Sequence, residues 1–151
     1  MTKISTINKI ILVTLPILSL LFGLMLEEDL STGGNKKDFI ATLPTIIDFS
    51  NFYFSTPNEH TTHFPLHYLL LSIPQFIFEN IFAVKLFYFV FSLLFPFLTY
   101  INICRLHPGH KFNILIISLS LLFLPFYRAS AFWPNAHLTA LIFLLSANYF
   151  Y

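Results

Sequence analysis

The residues whose types and spacing best favour chemistry here are three consecutive carboxylates, Glu27, Glu28 and Asp29. They directly follow an uncharged apolar run that extends from Ile10 to Leu26. At about 1.5 Å per residue, a helix over this run rises roughly 26 Å, close to the ~30 Å hydrocarbon thickness of a bilayer. The acids therefore belong at a membrane face, where a carboxylate can take a proton from an acceptor hydroxyl. The alternative, that they only end the helix and mark the water boundary, stays open from this cluster alone.

Further titratable side chains are predicted on the same outer face as these acids. They mix carboxylates with cations and histidines, a combination that suits transfer of a group away from a phosphate. A carboxylate deprotonates the incoming hydroxyl, while Arg, Lys or protonated His offsets the charge that develops on the departing phosphate. The candidates beyond the acidic cluster are Lys36, Lys37, Asp38, His60, His63, His67, Arg128 and His137.

Two other patterns in this region predict no defined chemistry. His60, His63 and His67 suggest a metal cluster by residue type, but the intervening loop and Pro65 leave the ligand geometry undefined, so we assign no metal or cofactor and leave a divalent cation unsupported. Gly33-Gly34 has no Walker lysine and no strand before it, and we interpret it as a flexible turn.

The composition is that of an integral membrane protein. Hydrophobic residues make up 56% of the chain and charged residues 10%, against roughly a quarter charged residues in soluble proteins. A formal net charge of +1 gives no electrostatic basis for binding nucleic acid. The expected partners are therefore membrane lipids and lipid-linked molecules.

Hydropathy and charge predict an all-α membrane fold with about four transmembrane helices. The spans are expected near residues 10–26, 81–104, 112–127 and 134–151. The outer loop, residues 27–80, is expected to hold two juxtamembrane or re-entrant helices. This count keeps the basic loop from Arg105 to Lys111 in the cytoplasm with the N-terminus, as the positive-inside rule requires. The first span lacks a small-residue cleavage site, so we expect an uncleaved signal anchor.

The outer loop contains an apolar pattern typical of a surface helix. Its three- and four-residue spacing predicts an amphipathic helix lying on the membrane, formed by Phe39, Ile40, Leu43, Ile46 and Ile47. Phe64 to Phe78, interrupted by Pro65 and Pro74, is short for a span and predicts the second such helix. Lys85, just inside the second span, is expected to extend its stem to the interface.

The order of these features resembles the GT-C class of membrane glycosyltransferases, which includes bacterial aminoarabinose and RgtA-like transferases and the protein mannosyltransferases. In that class a first transmembrane helix ends in an acidic motif, here Glu28-Asp29, and an outer loop follows. A His-Pro-Pro-Leu-like segment comes next, for which this chain has His63-Phe64-Pro65-Leu66, without the second proline. Lys85 stands where many members place a basic residue, and residues 128–137 look like the next outer turn. The resemblance covers nearly all of the chain.

The resemblance implies an inverting hexosyl or pentosyl transferase of the cell envelope, in the bacterial cytoplasmic membrane. It would move a sugar from a polyprenyl-phosphate donor to a glycan, lipid or protein acceptor. Asp29 would be the catalytic base and Glu28 the second candidate, since the acidic run leaves the two unresolved. The residues implied in positioning the donor or the acceptor are Lys36, Lys37, Asp38, His63, His67, Arg128 and His137.

The length of the chain keeps a second class of function open. Members of the GT-C class have several hundred residues and more spans, so we expect these 151 residues to be the N-terminal part of a longer protein, inactive alone. The alternative is a small non-catalytic membrane protein, either an assembly subunit or a lipid-binding scaffold. A transporter ranks third, because the predicted spans contain no buried charge pair.

Overall fold

The computed structural model describes residues 6–28, 34–49 and 65–151, and these residues are helical with no strand among them. The helices are α1 (Thr6–Met25), α2 (Gly34–Ile47), α3 (Pro65–Phe78), α4 (Ile81–Ser92), α5 (Leu94–Leu106), α6 (Lys111–Ser120), α7 (Pro125–Phe132) and α8 (Ala136–Phe150), with 3-10 turns at Pro108–His110 and Leu121–Phe123. The predicted helices of the outer loop are therefore present as α2 and α3.

Two helical segments are long and apolar enough to cross a membrane. They are α1, with 20 residues, and the 26-residue rod that α4 and α5 form together from Ile81 to Leu106. Residues 108–123 and 125–132 have the required hydropathy only as a pair, so within the described residues the candidate spans number two, or three with this bent pair. The apolar helix α8 has 15 residues. The described residues are thus all-helical with two candidate membrane spans, and the arrangement of four spans stays a prediction.

The segment expected as a span near residues 112–127 is not one straight helix. A 3-10 turn follows α6, and the axis bends by 64° before α7 begins. The break lies at Leu124, whose φ of −67° and ψ of 127° are extended. Pro125 explains this, because the proline ring disfavours the α conformation of the residue before it. The bend turns α7 across the end of the bundle, where its side chains meet the end of α1.

Contacts at the two ends of the bundle show which helix ends lie together. At one end Lys9 Nζ lies 5.4 Å from the ring centroid of Phe112, so the start of α1 is next to the start of α6. At the other end Arg128 contacts Glu28, as the predicted shared outer face requires. Glu28 and the Arg128 side chain of α7 therefore lie together, away from Lys9.

Helix α2 lies in the predicted outer loop. Much of its apolar surface, which was predicted to face lipid, packs against protein instead. Phe39 is 2% exposed, with its ring centroid 6.1 Å from that of Trp133, and Ile46 is completely buried. Ile40 and Ile47 remain exposed, so the predicted membrane stripe is divided between protein and surroundings. The reason is that α3 packs along α2 and takes up its apolar side. An Asn35 side-chain amide also donates to Ser130 Oγ of α7 at 3.3 Å.

Candidate functional site

The end of α1 is a tight reversal that sends two carboxylates in different directions. The Glu28 N–H donates to the Gly23 carbonyl at 2.9 Å and the Glu27 N–H to the Leu24 carbonyl at 3.2 Å, the hydrogen bonds of a Schellman C-cap. Glu27 occupies the left-handed position with φ of 51°, which usually belongs to glycine. A side chain there costs about 1–2 kcal/mol. From this strained turn the Glu27 and Glu28 carboxylates each contact cationic side chains.

Glu28 forms a two-pronged ion pair with Arg128 of α7. Arg128 Nε donates to Glu28 Oε1 at 3.0 Å, and Arg128 Nη2 donates to Glu28 Oε2. The same guanidinium donates to the Oγ and the carbonyl oxygen of Ser19, each at 3.2 Å, and it is only 8% exposed. Trp133 Nε1 donates to the Glu28 carbonyl at 3.2 Å. The Glu28 carboxylate is therefore the counter-ion that fixes Arg128 between α1 and α7.

Gly23 is the residue that lets this pair form against α1. A Cβ at position 23 would lie 2.6 Å from Arg128 Nη2 and 2.7 Å from the Phe132 ring, besides meeting the Glu28 carboxylate. The absence of a side chain at this point of α1 provides the space for the guanidinium.

Gly23→Ala is expected to lower the free energy of unfolding by about 2 kcal/mol through overpacking. The loss would occur although alanine is the better helix former by about 1 kcal/mol. Gly109→Ala is the matched control, because a Cβ at position 109 meets nothing within 4 Å. Denaturant unfolding in detergent micelles measures both, and equal stability of the two variants would contradict the packing argument.

Glu27 holds two lysines against the sole tryptophan of the chain. Its carboxylate oxygens lie 3.4 Å from Lys85 Nζ and 3.5 Å from Lys36 Nζ. Lys85 Nζ is 3.7 Å, and Lys36 Nζ 4.8 Å, from the Trp133 ring centroid, within cation–π range. Lys85 is 6% exposed, and Trp133 and Glu27 hold its ammonium group at the end of α1.

The Glu27 carboxyl group should make stability depend on pH. Lys85, and to a lesser extent Lys36, lower its pKa below the usual 4.5. A carboxyl whose pKa is lower in the folded state contributes stability above its unfolded pKa and loses it as the pH falls through the folded pKa. We therefore expect wild type to exceed Glu27→Gln in thermal unfolding midpoint at about pH 7, with the difference disappearing well below pH 4.5. An unchanged difference in acid would exclude the pairing.

The cluster around Trp133 brings cations and carboxylates together. Lys36, Lys85 and Arg128 face the two carboxylates Glu27 and Glu28. Two of the three cations are buried, where charge interactions are screened less than in water. Three cations therefore lie close together where α1 ends.

A second polar group lies on the α3 side of Trp133. His67 Nδ1 is 2.8 Å from Thr139 Oγ1, which is 3.0 Å from Tyr88 Oη. Tyr88 Oη donates to the Asn135 carbonyl at 2.6 Å. The Asn135 side chain caps α8 by accepting from the His137 N–H at 2.9 Å. This network fixes the buried His67 imidazole, which is 4% exposed, to the start of α8.

Two adjoining cavities flank this network. A polar cavity of about 80 Å³ is lined by Asp38 and Thr42 of α2, His67 of α3, and residues 134–137. An apolar groove of about 560 Å³ runs along α8 past Ala140 and Phe143. The two share His67 and Ala136 in their walls.

The structure divides the predicted site residues between these two places. Glu28, Arg128 and Lys36 meet around Trp133, whereas Asp38, His67 and His137 line the polar cavity. Lys37 is exposed on α2. Asp29, His60 and His63 lie outside the described residues. Within the ranges described, no three His, Cys, Asp or Glu side chains form a group able to hold a metal.

The main residue missed from the sequence is Lys85. The sequence did contain an indication of its role, because a lysine in an apolar span needs a counter-charge. The acids after α1 were the available partners. What the sequence did not provide was the adjacency of α4 to the end of α1. Trp133 and Tyr88 were missed for the same reason.

Comparisons with known proteins add no assignment: no family model, no curated protein and no solved structure matches this chain.

Proposed function

We propose that this chain belongs to an inverting membrane glycosyltransferase that moves a sugar from a polyprenyl-phosphate donor to an acceptor at the outer membrane face. The observation that carries the proposal is the cation-rich cluster around Trp133, at the point where α1 ends. A phosphate suits three neighbouring cations, and a polyprenyl chain suits the apolar helix surfaces beside them. Lys85 and Lys36 supply the ammonium groups for the phosphate.

The same cluster favours Asp29 over Glu28 as the catalytic base. Glu28 is already committed to Arg128 by two hydrogen bonds, which engage both oxygens of its carboxylate. Asp29 is the next residue along the chain. In the proposed step the acceptor oxygen attacks the anomeric carbon, Asp29 takes the hydroxyl proton, and the bond from that carbon to the phosphate oxygen breaks. The bonding electrons leave with the phosphate, whose charge Lys85 and Lys36 stabilise.

The orientation in the membrane is part of the proposal. With residues 10–26, 81–104, the bent segment 112–127 and residues 134–151 as four spans, the N-terminus is cytoplasmic and the loop 27–80 faces outward. The positive-inside rule supports this orientation, because Lys9 and the basic loop before α6 then share the cytoplasmic side. In a bacterium this membrane is the cytoplasmic membrane.

A transfer assay tests the proposal. The product of the complete native gene is reconstituted in liposomes with sugars linked to polyprenyl phosphate, and release of the polyprenyl phosphate is followed. We expect polyprenyl phosphate to be released only when the protein is present. Nucleotide-linked sugars should not serve as donors in its place. Binding of the lipid phosphate without any release, across hexosyl and pentosyl donors, would contradict the transferase proposal.

One observation favours a non-catalytic alternative, a lipid-binding scaffold. The Glu28–Arg128 pair joins α1 to α7, and the Glu27–Lys85 pair joins the end of α1 to α4. Ion pairs that connect helices in this way stabilise a fold without taking part in catalysis. A scaffold predicts that variants of Asp29 leave every function unchanged, whereas the transferase requires this carboxylate.

A further inference from the structure

Positive charge collects at the end of the bundle where α1 begins. Lys9 of α1, Arg105 in the last turn of α5 and Lys111 at the start of α6 are all exposed there, since only residues 107–110 separate α5 from α6. Within the described parts of the chain, every carboxylate side chain lies toward the Trp133 end of the helices: Glu27, Glu28, Asp38, Asp48 and Glu79. Among those residues, the three cations therefore have no carboxylate side chain beside them.

An apolar groove follows α1 and α6 from this charged end, and we call it the α1–α6 groove. On α6 its residues recur at three- and four-residue spacing and continue the stripe that begins with Phe112. Lys9 Nζ lies 5.4 Å from the Phe112 ring centroid, so the ammonium group stands at the end of the groove. The walls are Ile11, Leu12, Leu15 and Pro16 of α1 with Ile116, Leu119, Ser120 and Phe123 of α6.

We propose that the α1–α6 groove binds one anionic phospholipid, whose phosphate contacts Lys9 and whose acyl chain follows the groove. Ile11, the first wall residue, is two residues from Lys9. The helix rises about 3 Å over that interval, so a single lipid molecule reaches both the cation and the apolar wall. This site lies at the opposite end of the bundle from Trp133 and requires no sugar transfer, so the proposal is independent of the proposed function.

The charge at the groove favours an anionic headgroup over a zwitterionic one. Phosphatidylglycerol has a net negative charge, whereas the choline of phosphatidylcholine offsets its own phosphate. One lysine near an anionic membrane surface strengthens binding about fivefold. In the proposed orientation this end of the bundle lies in the cytoplasmic leaflet, where anionic lipids attract basic side chains.

The size of the groove indicates that it holds part of one acyl chain. A cavity of about 150 Å³ holds benzene, which has six carbon atoms. The α1–α6 groove has a volume of about 140 Å³ and therefore takes a segment of about six carbons. A second chain does not fit beside the first, so the other chain of the phospholipid stays in the bilayer.

Photolabelling in nanodiscs of phosphatidylcholine tests the groove with defined probes. The principal probe is a phosphatidylglycerol with a diazirine in the first half of one acyl chain, and mass spectrometry locates the labelled residues. We expect saturable labelling of residues 11–16 and 116–123, which unlabelled phosphatidylglycerol displaces. A phosphatidylcholine probe with the same chains should label these residues at least fivefold less. Glycerol phosphate, which has the charge but no chain, should not displace the label.

A pair of charge variants tests the role of Lys9. Lys9→Gln should weaken labelling by the phosphatidylglycerol probe about fivefold. Arg105→Gln is the matched control, because Arg105 lies at the same end of the bundle but against the Tyr149 ring of α8. It should change labelling less than twofold.

A pair of size variants tests the groove itself. Ser120→Phe fills the space between α1 and α6 and should reduce labelling about tenfold. Ser120 is exposed, so the larger side chain is introduced without disturbing a packed core. Ile117→Phe, exposed on the same helix outside the groove, is the control and should leave labelling unchanged.

Several results would overturn the phospholipid site. Equal labelling by the two headgroups, or displacement by glycerol phosphate, would remove the requirement for an anionic lipid. Equal losses in Lys9→Gln and Arg105→Gln would show a diffuse attraction of charge in place of a site. Undiminished labelling in Ser120→Phe would place the acyl chain outside the groove.

Discussion

Replacing Asp29 by asparagine is expected to lower the rate of sugar transfer by roughly 10²- to 10⁴-fold, the usual contribution of a general base. Asparagine keeps the size of the side chain but cannot accept the proton of the acceptor hydroxyl. The rate is measured with the complete native protein in liposomes, under saturating donor. Binding of the donor should change little, because the proposed phosphate ligands are Lys85 and Lys36.

Glu28→Gln is the matched control for Asp29→Asn, since the two carboxylates are neighbours in sequence. Its main effect should be on stability, because glutamine cannot form the charged pair with Arg128. A folded Glu28→Gln protein should retain far more transfer than Asp29→Asn. The opposite ranking, with Asp29→Asn active and a folded Glu28→Gln inactive, would assign the base to Glu28.

Arg128→Met is expected to lower the free energy of unfolding by about 3 kcal/mol, the lower part of the range for breaking a buried ion pair. The lower part applies because the Glu28 side chain is 23% exposed and regains some water. The variant removes both hydrogen bonds to Glu28 and both to Ser19. Denaturant unfolding in micelles gives the value directly.

A double-mutant cycle separates the ion pair from the packing of the Arg128 side chain. The double variant Glu28→Gln with Arg128→Met should be more stable than the sum of the single losses predicts, because it leaves no uncompensated charge. Arg105→Met, at the other end of the bundle and exposed, is the control and should lose less than about 1 kcal/mol. An equal loss in the Arg105 and Arg128 variants would show that the pair does not hold α1 to α7.

The sequence predicted those parts of the fold that depend on hydropathy and local charge. The apolar run before Glu27 forms α1 as expected, and Arg128 lies beside Glu28, two residues that were predicted to share one face. The bend before Pro125 was also encoded locally, since Leu124 precedes a proline, but length and hydropathy favoured one uninterrupted span. The general lesson is that apolar content predicts helices better than it predicts where they break.

The assembly of the site was less predictable because it depends on long-range packing. Lys85 is 58 residues from Glu27 in sequence, and nothing local to either residue specifies their contact. His67 and Thr139 are 72 residues apart, so the hydrogen bond that fixes the His67 ring was equally hidden. On α2 the pattern identified an apolar face correctly, yet only the packing of α3 determines which of its residues leave the surface.

The most direct test of the central claim is a fluorescence titration of Trp133 in the 151-residue chain, where it is the sole tryptophan. A polyprenyl phosphate that engages Lys85 must alter the ammonium 3.7 Å from the ring centroid. We predict a saturable change in nanodiscs with the polyprenyl phosphate and none with the polyprenol, and about tenfold weaker binding in Lys85→Met. The absence of a saturable change, or an equal response to the polyprenol, would contradict a lipid-phosphate site around Trp133.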